Sequence, residues 1–207
     1  MKYFFTITII AACIGGGIYL SKMRNNLDTN IVQDVTKTPE PSYIVTANVP
    51  LGGPFNLTNH LGKRISNQDF KGKLMLLYFG YSYCPDLCPS ELSTMTKALD
   101  LLGDKINDIQ PIFVTIDPKR DSEELLKNYV SLFHPKLMGL YGNNQELNEA
   151  FDHYKIYAAK TEDKGGDDYL MDHSTFTYLV GRDGKLISMF RLGTPATEMA
   201  KEIEKHF

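Results

Sequence analysis

The apolar run Leu74-Met-Leu-Leu-Tyr-Phe79 and the residues that follow Gly80 constrain the fold more than any other stretch. Apolar residues in unbroken succession suit a strand buried on both faces, in a sheet covered by helices. The chain then reads Tyr81-Ser82-Tyr83-Cys84-Pro85-Asp86-Leu87-Cys88-Pro89. Two cysteines four apart at a helix start place both sulfurs on one exposed face. There they can bind a soft metal or form a disulfide, and an incipient helix lowers thiol pKa. The i,i+4 Cα separation in a helix is about 6 Å, which a disulfide tolerates. Beyond residue 20 the chain has no other cysteine. The chemistry is concentrated at this one place.

A chain of 207 residues, 43% hydrophobic and 23% charged, suits one globular domain with an appendage. A net charge of −3 and no basic block leave nucleic-acid binding without an electrostatic footprint. The appendage is the amino terminus, residues 1–24. Tyr3 to Leu20 run without a charge between Lys2 and the pair Lys22 and Arg24. At about 1.5 Å per residue that run approaches the ~30 Å of a bilayer core. It reads as an uncleaved membrane anchor. Two alternatives stand beside it: a cleaved signal peptide, and a lipobox at Ile10-Ala11-Ala12-Cys13 that would lipidate Cys13. All three export the domain. Without an Arg- and Ser-rich transit peptide, the expected place is the periplasmic face of a cell inner membrane rather than a mitochondrial inner membrane. Residues 25–48 form a polar linker with Thr36, Thr38, Pro39, Pro41 and Ser42 and no periodicity. The folded domain is expected over 49–207.

Within it, strand and helix signals alternate. Phe55 to Thr58 and Lys63 to Ile65 flank a Gly62 turn and read as a hairpin. Leu92, Met95, Leu99 and Leu102 give a helix one core-facing stripe. Pro111 to Asp117 reads as a strand. Asp121 with Glu124 resembles a capping box opening a helix, with Leu125, Leu126, Tyr129, Val130 and Phe133 inward. A shorter helix is expected over Gln145 to Tyr154. Phe176 to Val180 and Leu186 to Phe190 flank Gly181-Arg-Asp-Gly184, a hairpin signal, and Thr194-Pro195 opens a terminal helix. The plan is α/β and thioredoxin-like: a central mixed sheet flanked by helices, with an N-terminal β-hairpin extension.

Three segments carry a closer resemblance: Gly80 through Leu92, Val114-Thr-Ile-Asp117-Pro-Lys-Arg-Asp121, and Tyr169-Leu-Met-Asp172-His173-Ser. In order and spacing they resemble the SCO/SenC family of membrane-anchored copper chaperones for cytochrome c oxidase. The resemblance runs from about Pro50 to Phe207. It implies binding of Cu(I), and of Cu(II), by Cys84, Cys88 and His173. It further implies delivery to the CuA centre of cytochrome c oxidase subunit II, with an upstream copper donor and a thiol reductant as partners. The donor set suits this role, since thiolates favour Cu(I) and imidazole suits either copper state. Two sulfurs and one nitrogen leave an open side for a recipient ligand, unlike a closed four-cysteine zinc site.

His173 stands about 85 residues beyond Cys88, so the fold must bring it in. It precedes a strand, at the place where thioredoxins set a cis-proline against their cysteines, and no proline occurs between Pro135 and Pro195. His60, His134, His153 and His206 read as structural or exposed. The polar stretch Lys160 to Asp168 reads as a mobile loop that lets His173 approach and withdraw, or as a plain solvated turn. Asp117 is placed either to tune the thiols or to cap its turn, and Asp86 either to charge the site or to serve the helix start. Pro85 and Pro89 stiffen the loop. Tyr83 stands where the family often has histidine. Met171 reads mainly as packing, with a thioether ligand as the alternative. A thiol–disulfide reductase acting on the oxidase subunit's cysteines is a second function, and a redox or copper sensor a third. A peroxidase would need Thr or Ser three residues before its cysteine, where Tyr81 or Pro85 stands instead.

Overall fold

The computed structural model describes residues 44–46, 51–161 and 169–207. The expected anchor, most of the linker and all but the first two residues of the expected loop lie outside the described residues. Among the described residues no helix is long and apolar enough to cross a membrane.

Helix and strand alternate as the patterning requires. The elements are β1 (Ile44–Thr46), β2 (Asn56–Asn59), β3 (Arg64–Ser66), β4 (Leu74–Gly80), α1 (Leu87–Leu101), β5 (Ile109–Thr115) and α2 (Glu123–Ser131). After these come β6 (Met138–Tyr141), α3 (Asn144–Tyr154), β7 (Ala158–Lys160), β8 (Met171–His173), β9 (Thr177–Val180), β10 (Leu186–Phe190) and α4 (Ala196–Glu204). Eight strands make one mixed sheet in the order β1-β10-β9-β4-β5-β6-β2-β3. The apolar run lies within it as β4, buried at all seven positions. β4 pairs parallel with β5 and β5 parallel with β6, while β9 pairs antiparallel with β4. Two strand–helix–strand units and a closing hairpin with a helix give the thioredoxin-like plan. The stripe Leu92, Met95, Leu99 and Leu102 is buried as its spacing requires, and α1 packs against α4.

Register fixes where the chemistry can stand. Tyr78 pairs with Phe113 and Gly80 with Thr115, so β4 and β5 end level. The loops that leave them, 81–86 and 116–122, therefore open side by side at the carboxyl edge of the sheet, the customary site position in such folds.

Several elements depart from expectation. The hairpin of β2 and β3 is no separate extension, because β2 also pairs with β6, which leaves β3 as the sheet's edge. β1 falls inside the stretch expected as spacer and pairs with β10, and the folded unit spans Tyr43–Phe207. β5 starts two residues earlier than read. Asp121 caps nothing: Ser122 is the N-cap of α2, accepting from the Leu125 N–H, and Asp121 turns inward. Of the residues expected inward on α2, only Leu126 and Val130 are fully buried. β7 and β8 form a separate two-stranded ribbon, with Ala158 opposite His173.

Candidate metal centre

Cys84 lies in the turn before α1, its N–H donating to the Tyr81 carbonyl at 3.2 Å. Cys88 is the second residue of α1, and its N–H donates to Cys84 Sγ at 3.3 Å. Both thiols are free. The expectation of two exposed sulfurs holds for neither alike: Cys84 is half-buried and Cys88 fully buried. The cause is Gly80 at the end of β4. A Cβ there would stand 2.9 Å from Cys88 Sγ and 3.0 Å from the Phe113 ring, so only a bare backbone lets the sulfur settle against the sheet. The Tyr78 hydroxyl, kept protonated by burial, donates to Cys88 Sγ at 3.7 Å.

β8 brings His173 to the same point. Its Nε2 lies 3.6 Å from Cys88 Sγ. Its Nδ1 lies 2.8 Å from the Ser174 carbonyl oxygen, which can only accept, so the proton sits on Nδ1. That leaves the Nε2 lone pair facing the sulfurs. Edge-on contacts with Tyr78 (6.2 Å) and Tyr81 (6.0 Å) hold the ring's plane. Among the described residues no three His, Cys, Asp or Glu side chains already surround a common metal point. Cys84, Cys88 and His173 instead touch one another directly. The spacing nonetheless suits a metal: bonds of about 2.3 Å to sulfur and 2.0 Å to nitrogen at ~120° set S and N about 3.7 Å apart.

The two thiols differ in charge. Cys84 accepts from the Cys88 thiol and from backbone N–H groups of Cys88 and Asp86, and its pKa falls to about 3 against the opposing effect of burial. Cys88 is pushed up, chiefly by donating to that thiolate and by burial. The pair therefore holds one proton, on the buried sulfur. A metal taking both sulfurs expels that proton.

Around the sulfurs lies a polar frame that the sequence reading left mostly unread. Asp121 accepts from the Ser82 N–H at 3.2 Å, from the Ser82 hydroxyl, and from the Thr115 hydroxyl at 2.6 Å. It thus ties the base of the cysteine loop to the end of β5. Asp117 pairs with Arg120 and accepts from the Tyr169 hydroxyl at 2.8 Å. Glu91, one turn after Cys88, is buried and accepts from the Thr177 hydroxyl at 2.8 Å; burial raises its pKa. Asp86 and Tyr83 are exposed. Met171 packs on the apolar core and lines a cavity with Ile116, Pro118, Phe151 and Ile156 that neither cysteine borders. The three motifs contain Ser82, Glu91, Thr115, Asp117, Arg120, Asp121 and Tyr169, but only three-dimensional contact gives them roles.

Known proteins resemble this chain over most of its length. A profile described as SCO1/SenC matches residues 45–207. The chain is 38% identical over 197 residues to an SCO2-like protein of Rickettsia conorii, covering 93% of this chain and 92% of that one. It is 39% identical over 158 residues to the mitochondrial SCO1 homolog of Homo sapiens, covering 75% of this chain and 52% of the relative. The solved structure of Bradyrhizobium japonicum ScoI with copper bound superposes with a TM-score of 0.71 at 39% identity, covering 76% of this chain and 99% of that one. A profile match from β1 to the last residue, with relatives near 40% identity, is more than a shared fold: the chain belongs to the SCO1/SenC family.

Proposed function

We propose that this chain is a membrane-tethered copper chaperone for cytochrome c oxidase assembly. It takes copper on Cys84, Cys88 and His173 and delivers it to the CuA centre of subunit II. The observation that carries the reading is the approach of a lone-pair-bearing Nε2 to within 3.6 Å of the buried Cys88 sulfur, beside the Cys84 thiolate. Relatives solved with copper bound, from Bradyrhizobium japonicum and yeast, support copper as the cargo. Soft sulfurs hold Cu(I), the imidazole adds a ligand for either oxidation state, and the half-exposed Cys84 side leaves room for an incoming ligand. The apolar segment Tyr3 to Leu20 serves as the tether on the periplasmic side of the inner membrane.

One feature favours a second reading, thiol–disulfide reduction. An accessible thiolate beside a buried, protonated thiol is the arrangement of an attacking and a resolving cysteine. Cys84 would attack a target disulfide to give a mixed disulfide. Cys88 would then displace the target dithiol, leaving a Cys84–Cys88 disulfide for an external thiol reductant to open. The two readings separate in one mixing experiment. Copper-loaded protein is added to copper-free, reduced subunit II domain, and the CuA absorption is followed. Its growth as the donor loses copper is expected. Copper that stays put, while metal-free reduced protein opens the subunit's disulfide, would move the assignment to the reductase.

A further inference from the structure

β8 presents His173, yet β7 and β8 stand outside the main sheet as a two-stranded ribbon. Such ribbons are marginal alone, so the ligand's position must come from what grips the ribbon. Three polar contacts do so just ahead of His173. Arg120 Nη1 donates to the Tyr169 carbonyl at 2.8 Å, the Tyr169 hydroxyl donates to Asp117, and the Met171 N–H donates to the Tyr81 hydroxyl at 3.2 Å. All three originate in the loops that leave β4 and β5.

Arg120 joins the two halves of the site. Its guanidinium lies 3.6 Å from the centre of the Tyr169 ring, on the histidine side. It lies 4.8 Å from Tyr83 and 5.6 Å from Tyr81, on the cysteine loop. Its Nε is paired with Asp117, and both side chains are buried. A planar fork can stack on a ring while bonding a carboxylate and a carbonyl in its own plane, whereas an ammonium has no such geometry.

We propose that Arg120, with Asp117, Tyr169 and Tyr81, positions His173 against the two sulfurs, so that nitrogen ligation depends on a residue that never touches the metal. The inference rests on the reading of His173 as a ligand. A residue that merely fills the core would change stability without regard to His173, and a double-mutant cycle separates the two roles.

The test uses full-length protein in detergent, with Arg120→Lys and Tyr169→Phe each placed in the wild-type and His173→Ala backgrounds. Cu(II) affinity is measured by chelator competition. Each substitution is expected to lower it about 10- to 100-fold in the wild-type background, the range for residues that orient a ligand, and by no more than about 2-fold once His173 is gone. Equal losses in both backgrounds, or none in either, would overturn the proposal. Amide exchange on metal-free protein gives an independent reading. Exchange at Met171 and His173 should quicken about 10-fold or more in both variants while β4 stays protected. Unchanged protection there overturns the clamp. Should the wild-type protein take up no copper, the chaperone reading fails, and the exchange result alone decides whether Arg120 holds His173 in place.

Discussion

Gly80 is a glycine because of what lies across from it. A methyl group there would crowd Cys88 Sγ and the rings of Phe113 and Tyr78, all within 3.1 Å. Overpacking of this kind costs about 1–3 kcal/mol. Gly80→Ala should lower stability by that amount in urea melts and loosen Cu(I) binding, because the sulfur must shift; a variant with unchanged melt and affinity would show that the sulfur moves aside freely. The thiol pair makes a second prediction at this scale. With the Cys84 pKa lowered to about 3, its thiolate fraction stays near one as pH rises from 5 to 8. Iodoacetamide should therefore alkylate Cys84 of the reduced, metal-free protein at a nearly pH-independent rate. An ordinary thiol, with a pKa near 8.5, slows about tenfold per unit below pH 8. Buried, protonated Cys88 should lag far behind, as peptide mass spectrometry would read. A tenfold-per-unit slope at Cys84 would contradict the assignment. The cysteines were legible because their spacing is local. Their inequality was not, since it comes from the hydrogen bond between the two thiols and from the burial of Cys88 against Gly80, neither of which a spacing pattern reports.

At the scale of elements, the loop between β4 and α1 is held from below by Asp121. Replacing Asp121 with Ala removes the acceptor for the Ser82 N–H and for two hydroxyl groups in a buried setting. The expected loss is roughly 2–4 kcal/mol in denaturant midpoint experiments, since each buried donor left without a partner costs about 1–3 kcal/mol. Asp121→Asn keeps an acceptor and should lose less. A loss no greater than that of a surface substitution would contradict the role. This residue also shows where pattern reading fails. Asp121 and Glu124 match the spacing of a capping box, but Ser122 sits one residue nearer the helix and takes the cap. Asp121 is then free to meet Ser82, 39 residues earlier. Local spacing cannot report a competition settled by tertiary contact.

Across the whole molecule, the legible parts are those with a strong local period. The apolar run of β4, the stripe of α1 and the Gly181-to-Gly184 turn lie where their patterns put them. β1, three residues paired with a strand more than a hundred positions away, carried no such signal. Nor did the β7–β8 ribbon or the aromatic stack around Arg120, whose members come from three separate segments. The resemblance supplied His173 as a ligand where periodicity was silent, and the fold sets its Nε2 against the Cys88 sulfur. The central claim is that these three side chains share one copper ion. Its most direct test is X-ray absorption on the reduced protein carrying one equivalent of Cu(I), beside its His173→Ala and Cys84→Ser variants. Two sulfur scatterers and one nitrogen are predicted in the wild type, with the nitrogen lost in His173→Ala and stoichiometric copper lost in Cys84→Ser. A full copper complement in Cys84→Ser, or a nitrogen shell that survives removal of His173, would contradict it.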